Sequence, residues 1–150
     1  MRSDKLKKLL LIQLALCTTG YCGLALSHDL NGGMLGDPFY STDVYIIQCS
    51  TDSGGTTDYL EFKIIDITQF PGGGKVNLVV ENGGFFTQTG DKKQGNADWS
   101  PVHSVHGGNG VYQAIVHKLK HGVKFYSFEY HCKSSTGAHT GTSITQIQNQ

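Results

Sequence analysis

Beyond residue 43, apolar and polar side chains change places at every second position. Over residues 43–51, Tyr45, Ile47 and Cys49 fall on one side and Val44, Ile46 and Gln48 on the other. Period-two alternation rich in β-branched and aromatic residues predicts a strand, here with Cys49 facing inward. Residues 58–67 repeat the pattern, with Leu60, Phe62 and Ile64 opposite Glu61 and Lys63, and residues 75–81 place Val76, Leu78 and Val80 in phase. Further strands are predicted over 85–89, 111–119, 123–133 and 142–148. In the segment 123–133, Tyr126, Phe128, Tyr130 and Cys132 share the inner face, while Ser127, Glu129 and His131 share the outer one. Glycine-rich breaks separate these runs, notably Pro71-Gly72-Gly73-Gly74 and the tight-turn pair Asn82-Gly83. No helical period is visible after residue 27. The pattern predicts an all-β fold: a single antiparallel β-sandwich or jelly roll of seven to eight strands over residues 43–150. Residues 28–42, with Asn31-Gly32-Gly33 and Gly36-Asp37-Pro38, read as an irregular N-terminal arm.

The first 27 residues carry a different signal. A basic start, Met1 to Lys8, is followed by an apolar run of about nine residues from Leu9 to Cys17. A membrane-spanning helix needs roughly 20, so the run matches the apolar centre of a secretion signal. Ala25 and Ser27 stand at −3 and −1 of a cleavage site before His28. Lipoprotein processing at Cys17 or Cys22 is disfavoured, because Leu16 and Tyr21 before them are large. The expectation is a secreted or periplasmic protein with no membrane anchor after cleavage. Cleavage would remove four of the twelve basic and one of the twelve acidic side chains, leaving eight against eleven, a formal charge of −3. That balance supplies no basic field for nucleic acid and no patch for anionic lipid. Of the four cysteines, Cys49 and Cys132 remain, and an oxidising compartment would join them.

Two resemblances carry weak motifs. The run Gly110-Val111-Tyr112-Gln113-Ala114-Ile115-Val116, followed by Tyr126-Ser127-Phe128-Glu129-Tyr130, resembles the closing hairpin of bacterial pre-peptidase C-terminal-type domains. Thr57-Asp58-Tyr59-Leu60-Glu61-Phe62 is similar to their acidic-then-aromatic strand. The resemblance implies a secreted β-sandwich; no attached catalytic domain is expected from these residues, and paired cysteines are not a general feature of that type. The whole chain also resembles small uncharacterised secreted proteins of Gram-negative bacteria, which implies no activity.

Among residues that carry chemistry, His28 stands first. As a mature N-terminus it would offer an α-amine and an imidazole to one copper ion, as in proteins with a histidine brace, and a second imidazole would complete a planar nitrogen set. Asp29 is a neighbouring carboxylate, and His103, His106, His117, His121, His131 and His139 are possible second ligands. On a strand, the spacing of His103 and His106 points their rings to opposite faces, so joint ligation would need a bulge. Ser127, Glu129 and His131 stand side by side on one strand face and form no relay; no catalytic residue is assigned. Residues 52–58 supply oxygens for calcium but lack the alternating acids and closing glutamate of an EF-hand. Trp99, with Phe85 and Phe86, could form an aromatic contact, although core packing is expected for at least two of the three. The reading is a non-catalytic binding or structural module with a protein or glycan partner, to which the polar C-terminal strand could add by β-augmentation. The alternative is an extracytoplasmic copper-binding protein using His28.

Overall fold

The computed structural model describes residues 28–150, so the predicted export signal lies outside the described residues. Among the described residues nine strands are formed: β1 (Asp29–Leu35), β2 (Thr42–Ser50), β3 (Tyr59–Asp66), β4 (Val76–Asn82), β5 (Phe85–Asp91), β6 (His103–Val105), β7 (Gly110–His117), β8 (Lys124–Lys133) and β9 (Gly141–Gln148). They make two antiparallel sheets, ordered β1-β8-β3-β6 and β5-β4-β7-β2-β9. The all-β sandwich is therefore as the alternation predicts. The count exceeds seven or eight because β1 and the three-residue β6 carry no readable period.

Between the sheets lie the alternating inner residues: Tyr45 and Ile47 of β2, Leu60, Phe62 and Ile64 of β3, Leu78 and Val80 of β4, and Tyr112 and Val116 of β7. They meet Tyr126, Phe128 and Tyr130 of β8, as predicted. Cys49 of β2 is bonded to Cys132 of β8, with Cα atoms 5.6 Å apart, so the disulfide joins one sheet to the other through the core. The β4–β5 turn is Gly83-Gly84, both at positive φ, as a two-residue hairpin loop of this kind requires.

The expected irregular arm is corrected by the structure. Residues 29–35 form β1, an edge strand that pairs with β8 from Asp29 opposite Glu129 to Leu35 opposite Lys124. The sandwich thus begins at β1 and not at residue 43. Glycine is what permits this pairing and also what hid it. A Cβ on Gly33 would lie 2.3 Å from the Tyr126 ring, and the register slips between Leu30 and Gly33 with Gly32 at φ +77°. A bulge of this kind erases the period-two signature while keeping the strand paired.

Two buried polar groups tie the sheets' ends. The Tyr126 hydroxyl donates to Asp43, and the Tyr45 hydroxyl lies 2.7 Å from that of Tyr126. Burial pushes the Asp43 carboxyl up, against the opposing effect of the bonds from Tyr126 and the Gln150 N–H. At another site Lys124 and Asp66 form an ion pair at 2.7 Å with side chains 0% and 2% exposed. Gln94 accepts a second bond from the ammonium, and the Thr68 N–H donates to Asp66.

Removing one partner of such a buried pair leaves an uncompensated charge. Lys124→Met is expected to lower stability by about 3–5 kcal/mol, read from urea unfolding. The paired change Cys49→Ser with Cys132→Ser is expected to cost about 4 kcal/mol through loss of the closed loop in the unfolded chain. The same titration checks it, against the wild-type protein with its bridge intact, in the absence of reductant.

Candidate metal centre

Period two on β8 decides which side chains reach the outer face of the four-stranded sheet. With Tyr130 and Cys132 turned into the core, His131 must turn outward. His28 is brought beside it by the β1–β8 pairing, and the Tyr130 N–H donates to the His28 carbonyl at 3.0 Å. His139 returns through the turn after β8. Ser134 N–H bonds the Ala138 carbonyl at 2.9 Å, and His139 bridges back to Lys133. The chain therefore carries His139 alongside the end of the strand that holds His131.

One ligand nitrogen from each of His28, His131 and His139 can be chosen so that all three lie within 4.8 Å of one another. Ring centroids are 6.4 Å apart for His28 and His131, and 4.8 Å for His131 and His139. In every one of these residues Nδ1 is buried and has no protein hydrogen-bond partner. A buried polar atom without a partner costs about 1–3 kcal/mol. Three at one place are a concentration that ordinary packing does not explain.

Burial biases two of the rings toward the neutral form. Burial first, then His139 and Lys133, lowers the His131 pKa, against the raising effect of Glu129 and Glu61. Burial and Lys133 likewise lower that of His139. Neutral imidazole is the form that binds a metal ion, so little proton displacement is needed near neutral pH. Glu129 sits 3.8 Å from His131 Nε2 and is held by Lys63 at 2.8 Å.

The other predicted residues are dispersed. His103 Nδ1 lies 3.3 Å from the Thr87 hydroxyl, and His106 Nδ1 lies 3.4 Å from Asp58 and stacks near Tyr59. Neither joins the three-histidine cluster. His121 lies by Asp37, and His117 is paired within β7 against Thr42 and Asn77. Asp29 opens β1 opposite Glu129. Asp52 does not present a free carboxylate for calcium, because its Oδ1 accepts the Gly54 N–H at 2.7 Å and closes its own turn. The expectation that two of Trp99, Phe85 and Phe86 pack in the core is overturned. Phe85 and Phe86 are 69% and 74% exposed, at the start of the edge strand β5 next to the Gly83-Gly84 turn, where a strand has only one neighbour. Trp99 is half-buried instead on the outer face of the four-stranded sheet, with the Lys63 ammonium 4.6 Å from its ring centre.

Fold and cluster together define a disulfide-bridged β-sandwich bearing three convergent histidines on one outer sheet face. Comparison with family models, curated proteins and solved structures finds no match to this chain. Among the described residues, no helix is long and apolar enough to cross a membrane.

The lowered histidine pKa values fix a sign for the pH dependence of stability. Between those depressed values and the ordinary 6.5, the unfolded chain holds more protons than the folded one. Stability of the metal-free protein should therefore fall as pH drops through 6.5 and be fully present above it. Denaturant titrations at several pH values check this. A His131→Asn, His139→Asn variant should keep only part of this slope, that of His117, whose pKa burial also lowers.

Proposed function

We propose that this chain is an extracytoplasmic, non-catalytic metal-binding β-sandwich that holds a copper ion through His28, His131 and His139. The observation that carries the reading is the approach of three ligand nitrogens to within 4.8 Å of one another. The donor set is all nitrogen and, at His131 and His139, biased to the neutral form. Such donors suit copper and zinc, whereas calcium and magnesium require oxygen ligands. Among divalent first-row ions, copper has the highest affinity for a nitrogen site. The buried cystine suits an oxidising compartment.

Cleavage before His28 would add a fourth nitrogen. The α-amine and Nδ1 of one histidine can close a chelate ring on a single ion, and the His28 Nδ1 is a buried atom without a protein partner. Backbone pairing at the start of β1 gives this residue the rigid base that chelation needs.

Intact mass of the exported protein identifies its first residue, and copper titration followed by electron paramagnetic resonance then measures the site. One ion per chain is expected, with a nitrogen-rich signal. Changing His131 or His139 to alanine should weaken copper at least about tenfold, since even loss of a ligand's supporting partner costs 10–100-fold. One extra residue before His28 should weaken it too, by removing the primary amine from the chelate. Equal copper affinity in the wild type and a His131→Ala, His139→Ala variant would refute the proposed centre.

A further inference from the structure

We propose that, with copper in place, the cavity beside His131 and His139 becomes a binding site for a small anion, drawn toward the metal by Lys63 and Lys133. This rests on the proposed metal centre and names the class of ligand that the centre would accept from solution.

The cavity has a volume of about 250 Å³. Its walls include Glu61, Lys63, Glu129 and Lys133, together with the rings of His131 and His139. A water molecule occupies about 30 Å³ in the liquid, so an anion of several heavy atoms fits with accompanying water. The wall charges cancel in the metal-free protein: two lysines face two glutamates, in pairs of 2.8 Å (Lys63 with Glu129) and 2.6 Å (Lys133 with Glu61). A divalent ion held by neutral imidazoles keeps its whole charge, because the ligands bring none of their own. Loading the centre thus turns a neutral cavity into a positive one. Cations are then repelled, and uncharged molecules gain nothing from the field.

The lysines are free enough to respond. Side-chain exposures in the two pairs run from 19% to 27%, and ion pairs at this degree of exposure hold their partners weakly. Either ammonium can turn from its glutamate to an incoming anion. Lys133 has the further advantage of preceding the turn that returns at His139, so its ammonium and the ligand ring share one piece of backbone.

Azide is the probe, because its coordination to copper(II) gives a charge-transfer absorption. Copper occupancy is measured first by paramagnetic resonance, and azide is then titrated at copper saturation. A saturable absorption is expected in the loaded protein and none in the metal-free one. Lys133→Met should weaken azide binding and Glu61→Gln should strengthen it, each by about three- to tenfold, the effect of one partly screened charge on the cavity wall. A change of merely structural origin would not move the two variants in opposite directions. If copper binds but azide gives no saturable signal, or the two variants leave its affinity unchanged, the anion site is overturned while the metal centre stands. If no copper binds, the metal centre itself falls, and the anion site with it.

Discussion

Backbone pairing between β1 and β8 is the constraint on which the rest of the site depends. His28 and His131 are 103 positions apart in sequence, and no local element could bring them together. The antiparallel ladder does so by fixing Asp29 against Glu129 and the His28 carbonyl on the Tyr130 N–H. Which way His131 then faces is settled from the other side of the strand. Phe128, Tyr130 and Cys132 are committed to the core, and a one-residue slip would put three buried groups in water. The disulfide reinforces that commitment, because Cys132 is bonded through the core to Cys49 on the opposite sheet. The ring next to it in sequence inherits the rigidity of the bridge.

Glycine at two adjacent positions makes the ladder possible. Gly33 lies where any side chain would collide with the Tyr126 ring, and that ring cannot withdraw. Its hydroxyl is bonded to Asp43 and Tyr45, and both of those groups are buried. The polar network and the edge strand are thus mutually dependent: Tyr126 presents a flat surface, and β1 can lie across it only without a Cβ. Gly32, at positive φ, takes up the resulting bulge.

These relations explain what could be read from the residues alone. Strands β2, β3, β4, β7 and β8 bury one face against the other sheet, and each carries the alternation that such burial imposes. The inward direction of Cys49 and Cys132 followed from the same phase. Strand β1 was illegible because its Gly32-Gly33 bulge removes the period, and β6 because three residues cannot show one. Phe85 and Phe86 misled for a related reason: aromatic character signals burial only where a second sheet reaches far enough to cover it. His28 was legible as a candidate ligand from its place after the predicted cleavage site, with His131 and His139 among its possible partners. What the sequence could not do was separate them from His103 and His106. That choice depends on strand order, which places β8 beside β1 and sends β6 to the far edge.

The same strand order gives metal binding a mechanical consequence. β1 is an edge strand with one neighbour, and its first turn of ladder is interrupted by the bulge. An ion shared by His28, His131 and His139 would fasten that edge to the end of β8 and to the turn that follows it, three segments otherwise joined mainly by backbone hydrogen bonds. Binding to the folded chain alone stabilises it by about 2.7 kcal/mol when free ligand stands at a hundred times its dissociation constant. That energy would act at one edge of the four-stranded sheet. It would also relieve the three unpartnered Nδ1 atoms wherever they serve as ligands. The fold therefore carries a local cost where these three rings meet, and their arrangement is set by a core that is complete without them.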